Sequence, residues 1–548
     1  MSASSKKKLR NAEQLSQLTE RQLAEQKEAK KLKIFSIAMV SIVVVMLVFA
    51  AYIVASKAIT KANLGKAERE TVAITVGDHE ISAAEFNCFF VDAVSQFHSN
   101  YGSYASIVGL DMSKALDQQF YDEENGITWA DEFVNTAKEN AKSVYGIADE
   151  AAANGYTLSQ DDEDYLDSQM DTLSTYAALY GYSDVESYLR AMYGNGANEE
   201  IVRKYFEVSY IAQNYEQSVS DALEYTADDI RAKDKENPNA FSNFSYNSYF
   251  LNTSKFLEGG VEDEEGNKTY SDEEQAAAVK AAKKAAKSLT ASVSNVEQFD
   301  LAIAALDINA DSTSAASTPY VDTAYSSVAT AIQEWVADAA RKEGDTTVIA
   351  STSTDEDGNE TINGYYAVYF IARNDNEVLL QNVRHILTKF EGGTTDDNGN
   401  TTYSDEEKAA AKEAAEAIYE EWKSGDASED SFAALANEKS DDGDGTTGGL
   451  YEDVYPGQMV TAFNDWCFDE ARQTGDTGIV ETEYGYHIMY YVGASEQTYR
   501  DYRIENTLRS EDVQAWYNEI VEAQTVTDGS FDYVPGGLVL DSGSAKED

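Results

Sequence analysis

Between residues 244 and 490 the chain passes twice through one pattern, and this repeat restricts the folds open to it more than any other feature. Phe256-Leu257-Glu258-Gly259-Gly260 recurs as Phe390-Glu391-Gly392-Gly393, and Gly266-Asn267-Lys268-Thr269-Tyr270-Ser271-Asp272-Glu273-Glu274 recurs as Gly399-Asn400-Thr401-Thr402-Tyr403-Ser404-Asp405-Glu406-Glu407. Both runs lead into Ala/Lys/Glu-rich helices opened by Ser-x-x-Glu capping boxes, Ser271 with Glu274 and Ser404 with Glu407. Each copy closes on a tyrosine-rich strand, Gly364-Tyr365-Tyr366 onward and Gly485-Tyr486-His487 onward. A tandem unit that mixes strands with capped helices predicts an α+β fold class. The acidic Asp/Asn-Gly segments at 355–358 and 396–399 read as hairpin turns, and their spacing departs from a calcium-binding EF-hand loop.

At 548 residues the chain exceeds what one core can organise, so three or more folded units are expected. Its formal charge is −56; residues 1–33 oppose that trend with nine basic against four acidic side chains, leaving −61 on the remainder. Such acidity argues against nucleic acid or anionic membrane surfaces as ligands of the main body. Residues 34–55 are 22 uncharged residues, about 33 Å as a helix at ~1.5 Å per residue. Lys27, Lys30, Lys31 and Lys33 precede them. The positive-inside rule then predicts a single N-terminal transmembrane helix, an uncleaved signal anchor in the cell membrane. Residues 1–33 would be cytoplasmic and the main body extracytoplasmic. The two cysteines, Cys88 and Cys467, each sit in an apolar helical pattern, which favours buried thiols over a disulfide.

After a charged linker over 56–69, folded structure is expected to begin at Val72-Ala73-Ile74-Thr75-Val76. Ser82-Ala83-Ala84-Glu85 then reads as a capping box opening an apolar helix. From about 86 to 235 the pattern is helical and rich in tyrosine. Leu173, Tyr176, Leu179 and Tyr180, then Tyr188, Leu189, Met192 and Tyr193, recur at i, i+3, i+4 spacing. Such stripes serve as core or as a partly exposed groove for unfolded chains. His79 and His98 have no partners at metal-ligand spacing, and no metal is expected. Pro238-Asn239 marks a break before the repeat. Residues 499–523 read as an amphipathic helix, and 524–548 as a disordered tail.

The densest motifs lie between 383 and 492: Val383-Arg384-His385-Ile386-Leu387, Ser440-Asp441-Asp442, Gly448-Gly449-Leu450, Pro456-Gly457-Gln458-Met459-Val460-Thr461-Ala462-Phe463 and Gly485-Tyr486-His487-Ile488-Met489. In this order and spacing they resemble the parvulin family of peptidyl-prolyl cis/trans isomerases. The stretch from Val72 to the Glu85-Phe86 helix resembles the start of SurA-like and PrsA-like secreted foldases of bacteria. The two resemblances together imply a helical chaperone domain within 56–237, a degenerate parvulin-like domain over 238–376, an isomerase domain over 377–494, and a C-terminal helix with its tail over 495–548. They imply His385 and His487 as the paired histidines and Asp442 as the polar group near the rotating carbonyl. Met459 and Phe463, with Leu450 as a third wall, would form the proline pocket. Gln458 and Tyr484 would line the substrate site, although Tyr484 stands where the family often has Ser or Thr. In local alignment Tyr249 takes the place of His385 and Tyr366 that of His487. The first copy also has no counterpart of Gly-Gln-Met-Val-x-x-Phe.

The implied chemistry is modest. Rotation about an X–Pro bond must break amide resonance, a barrier of about 18–20 kcal/mol, and exchange uncatalysed over tens to hundreds of seconds. A catalyst needs no metal, redox centre or other cofactor; it must bind the twisted amide better than the planar one. Histidines facing a sheet core are often only satisfied polar groups. Here, two of the chain's four histidines fall at both family positions, with Asp442, Met459 and Phe463 between them. Lys389 is followed by Glu391, Asp396 and Asp397, which argues against phosphopeptide specificity. The expected function is that of a membrane-anchored extracytoplasmic isomerase and foldase. Its partners would be unfolded or partly folded exported polypeptides with X–Pro bonds. The rival is a holdase that uses an inactive parvulin domain for peptide binding.

Overall fold

The computed structural model describes residues 61–540, apart from 263–266, 311, 313, 356–357, 397–398 and 444. The apolar run 34–55 lies outside the described residues. Among those described, no helix is long and apolar enough to cross a membrane, because the long helices carry charges on their solvent faces, as Asp131 and Glu132 do in Trp129–Ala153. The expected single-pass architecture, the membrane as a partner and the extracytoplasmic location drawn from it are corrected accordingly. The described fold is α+β. It divides into two compact units, residues 225–506 and residues 61–224 with 507–540.

In the helical unit, β1 (Val72–Val76) pairs antiparallel with β2 (His79–Ser82) on one edge and with the C-terminal strand Val526–Asp528 on the other. Ser82 caps α1 (Ala83–Tyr101) by accepting from the Glu85 backbone N–H at 3.2 Å. The return half of the expected box gives way to burial. The Glu85 carboxylate turns inward, accepting from the Tyr145 hydroxyl and from Lys204 Nζ at 2.8 Å. α1 packs on α2 (Trp129–Ala153) and on α5 (Glu199–Asp221), while α3 (Gln160–Leu179) and α4 (Val185–Tyr193) add the tyrosine stripes. Leu173, Tyr188, Leu189, Met192 and Tyr193 are core residues, whereas Leu179 is exposed. The far half of the C-terminal helix Tyr499–Ala523 sets Trp516, Tyr517 and Ile520 against Ile147, Ala151, Ala212 and Tyr215. The tail expected over 524–548 is folded as far as 540: beyond its three-residue strand, Leu538 and Leu540 are buried. A strand that short leaves no periodic signal. Cys88 and Cys467 are both buried free thiols.

The second unit holds two antiparallel four-stranded sheets with one topology. The first copy runs β3 (Asn243–Asn252), α6 (Asp272–Thr290), α7 (Val296–Ala304), β4 (Thr318–Ala324), α8 (Thr330–Ala337), β5 (Thr346–Thr354), β6 (Glu360–Asn374), with sheet order β4-β3-β6-β5. The next copy runs β7 (Leu379–Lys389), α9 (Asp405–Ser424), α10 (Glu429–Lys439), β8 (Leu450–Val454), α11 (Thr461–Cys467), β9 (Thr477–Glu481), β10 (Gly485–Thr498), in the matching order β8-β7-β10-β9. The repeated motif has a physical reason. Glu274 and Glu407 each close a capping box and also accept from a glycine N–H, Gly260 at 3.0 Å and Gly393 at 2.8 Å, tying the loop to the helix start. Arg341 lies over the Trp335 ring at 4.7 Å as Arg472 lies over Trp466 at 4.1 Å.

Register corrects the local alignment of the copies. Gly364 pairs with Asn252 as Gly485 pairs with Lys389. Ser248, opposite Val368, therefore holds the place of His385, which is opposite Met489. Tyr366, opposite Phe250, holds the place of His487, opposite Leu387. Tyr249 belongs to the other face, where it packs beside Leu251 and bonds Asn309 at 3.0 Å. Ile332, third in α8, stands where Phe463 is third in α11.

Arg500 secures the ends of both copies. Its buried guanidinium donates to Asp234, to the Pro238 and Asp375 carbonyls and to Ser242 Oγ. Truncation would strand several acceptors at once, so Arg500→Ala is expected to cost about 2–4 kcal/mol, read as a lower urea midpoint for this unit.

Candidate active site

Alternation along β7 sends Val383, His385 and Leu387 to one face and Arg384 and Ile386 to the other. On β10, Met489 lies opposite His385 and His487 opposite Leu387, so the two histidines are diagonal neighbours on one face. Both are buried, 3% and 5% exposed. Their Nδ1 atoms are 3.0 Å apart. His385 Nε2 is 3.1 Å from Asp442 Oδ2, and His487 Nε2 is 2.9 Å from Thr482 Oγ1. The Tyr451 hydroxyl donates to the same Asp442 oxygen at 3.0 Å.

One proton arrangement satisfies the whole chain. Ionised Asp442 accepts from His385 Nε2–H; in the neutral ring Nδ1 then accepts from His487 Nδ1–H, and His487 Nε2 accepts from Thr482. The Asp442 carboxyl is held well below the ordinary carboxylate range, chiefly by the His385 hydrogen bond and then by that of Tyr451, against burial. Burial, followed by the neighbouring His385, lowers His487 from 6.5 to about 4. Burial, with the Asp442 charge next, pushes the Tyr451 phenol up to about 12.

Phe463 closes the floor: its ring meets His385 at 5.4 Å and His487 at 5.3 Å, edge-on in both cases. Met459 packs half-buried on the cluster of Val383, Phe463, Cys467 and Met489. The loop bearing Asp442 is fixed by backbone bonds, Asp441 N–H to the Leu387 carbonyl and Leu387 N–H to Ser440 Oγ. Gly449 touches β7 directly, its carbonyl accepting from the His385 N–H at 2.9 Å.

The structure thus brings together His385, His487, Asp442, Phe463 and Met459. Gln458 serves the turn that carries Met459, its Oε1 accepting from the Tyr455 N–H at 3.0 Å. Leu450 pairs opposite Arg384, on the face away from the histidines, and Tyr451 takes the inner position, its ring 4.9 Å from His385. Tyr484 is 57% exposed and contributes two backbone bonds: its N–H donates to Thr482 Oγ1 and its carbonyl accepts from the Phe390 N–H. Sequence reasoning missed Tyr451 and Thr482. Strand alternation after Gly449 could have found the first; no signal marked the second.

The lowered His487 pKa has a signed consequence. An unfolded chain takes up this proton near 6.5 and the folded one only near 4, so stability falls as pH drops through that window. The depressed Asp442 acts in the same sense, its stabilisation being lost on acidification. The groups facing His487 are His385, Asp442 and Thr482. The His487 ring resonances are expected to titrate near 4 and the urea midpoint to decline below pH 6.5. A His487 midpoint at 6.5 would contradict a buried, neutral His487 ring.

With this geometry in hand, residues 385–493 match the family model described as Rotamase: PPIC-type PPIASE domain. No curated protein matches the chain. Among solved structures, PrsA from Bacillus subtilis is 14% identical over 72% of this chain and 86% of that one, with a TM-score of 0.27. Peptidylprolyl isomerase (PrsA) from Bacillus anthracis is 19% identical over 27% of this chain and 59% of its own, TM-score 0.17. The PPIase domain of TbPAR42 is 24% identical over 20% of this chain and 98% of its own, TM-score 0.17. At these scores the assignment rests on the family match, with which the site geometry agrees. Over residues 385–493 the chain carries a peptidyl-prolyl cis/trans isomerase domain of the parvulin, or PPIC, type.

Proposed function

We propose that residues 377–494 rotate X–Pro bonds in unfolded or partly folded polypeptides, without a covalent intermediate, as the isomerase part of a foldase. The observation that carries this reading is the hydrogen-bonded chain Thr482, His487, His385, Asp442 and Tyr451 lying against Phe463 and Met459. A planar amide places resonance charge on its carbonyl oxygen, and twisting removes it. An anion beside that oxygen disfavours the planar form more than the twisted one, which is differential stabilisation of the transition state. Asp442, kept ionised and one-third exposed, is assigned this role. Phe463 and Met459 receive the proline ring, with the Tyr451 ring as the third wall. The histidine pair holds Asp442 and the floor in one arrangement. A thousandfold acceleration needs only about 4 kcal/mol of such differential binding.

The helical domain within 56–237 is assigned to gathering clients. The first copy, 238–376, has Ser248 and Tyr366 where the histidines would stand, and serves as spacer or second binding surface without turnover. Residues 507–540 complete the helical part. The test is refolding of a protein limited by proline isomerisation, with catalytic amounts of the full chain. The slow phase is expected to accelerate. Suppressed aggregation at stoichiometric ratios with an unchanged slow phase would replace this reading with that of a holdase.

A further inference from the structure

We infer that Tyr451 is a positioning residue of the isomerase centre, acting through Asp442; the inference rests on the role proposed for that carboxylate. Tyr451 reaches the site because β8 pairs it with Val383, two residues before His385 on the same face. Its hydroxyl and His385 Nε2 converge on one carboxylate oxygen, at 3.0 and 3.1 Å. Two donors on one oxygen fix the carboxylate's rotation and favour its charged form. The Asp442 side chain is 37% exposed, so burial alone does not force a single rotamer on it. The phenol supplies that constraint while its ring stays in contact with His385 and Phe463.

The competing reading is packing alone, and the first copy supplies it. Register places Tyr320 opposite Tyr246 as Tyr451 stands opposite Val383. There the tyrosine stacks on Tyr246, with ring centroids 4.6 Å apart and planes 10° from parallel. Tyrosine at this position therefore has a packing use without any carboxylate. The bond to Asp442 belongs to the second copy, and its effect must be separable from the ring's.

A double-mutant cycle on the full chain separates them. Tyr451→Phe keeps the ring and removes the hydroxyl. It is expected to lower kcat for an Ala-Pro peptide about three- to tenfold with KM little changed, the scale of one ordinary hydrogen bond felt through Asp442. In an Asp442→Ala background the same change is expected to cost nothing further. Equal losses in both backgrounds, or no loss in either, would overturn the inference. A second readout is independent of turnover: the 15N and 1H shifts of His385 Nε2–H report how firmly Asp442 is held. They are expected to move in Tyr451→Phe. If the wild-type protein proves inactive, the functional proposal fails, and unmoved His385 shifts would separately sink the role of Tyr451.

Discussion

Replacing His385 and His487 together by alanine is expected to lower kcat/KM for an Ala-Pro peptide by about a hundredfold or more, while the domain stays folded. The expectation comes from where the hydrogen bonds go. Each ring is satisfied at both nitrogens inside the protein. Removing one ring alone leaves a buried nitrogen of the other without its partner, a penalty of about 1–3 kcal/mol. Removing both avoids that orphan. Asp442 is exposed enough to be hydrated, and Thr482 has the Gly485 carbonyl at 3.4 Å as a second acceptor. The double variant is therefore expected to be less destabilised than the sum of the singles, and the loss to appear in catalysis. A hundredfold loss corresponds to about 2.7 kcal/mol of transition-state stabilisation. Near wild-type exchange in the folded double variant would mean that the pair is only a satisfied core feature.

Gly449→Ala is expected to destabilise this domain far more than a methyl placed in open space. Gly449 lies at φ +65, and a Cβ there would fall 2.1 Å from the His385 carbonyl oxygen and 3.1 Å from the Ala436 Cβ. Both obstacles are part of packed structure, so β8 must move. Movement breaks the 2.9 Å bond to the His385 N–H and draws Tyr451 away from Asp442. The left-handed conformation alone costs an alanine about 1 kcal/mol, and the lost contacts raise the total to about 3–5 kcal/mol. Gly443 provides the control. It too has positive φ, +81, but a Cβ there meets nothing within 4 Å, so Gly443→Ala should cost only about 1 kcal/mol. Urea unfolding of both variants, followed by the fluorescence of Trp422 and Trp466, reads the difference. Similar midpoints for the two would show that Gly449 is not pressed against β7.

How far the fold could be read in advance depended on whether a feature was local. The capping boxes at Ser271 and Ser404 are four-residue signals, and both formed as written. The pairing of His385 with Asp442 and His487 came from a family pattern, since residues 102 positions apart cannot be brought together by local propensity. The errors share one cause. Leu450 for Tyr451, and Tyr249 for Ser248, are slips of a single residue, and in a strand one residue reverses the face. β7 has register shifts between Leu379 and Gln381 and between Asn382 and Val383, and β6 has one between Phe370 and Ala372. Irregularities of this kind decouple strand phase from linear alignment. Glu85 failed differently: its half of the capping box lost to Lys204 and Tyr145, which only tertiary packing brings near. Length and flanking charge are the whole signal of the apolar run 34–55, which lies outside the described residues. The described helices of comparable length are amphipathic packing elements.

The central claim is that this chain turns over X–Pro bonds at the His385–His487–Asp442 centre. NMR exchange spectroscopy on an Ala-Pro peptide with the full chain tests it most directly. The account predicts cis/trans cross-peaks that grow with protein concentration and vanish in the folded His385→Ala/His487→Ala variant. Exchange at the uncatalysed rate with the wild-type protein, correctly folded, would contradict it.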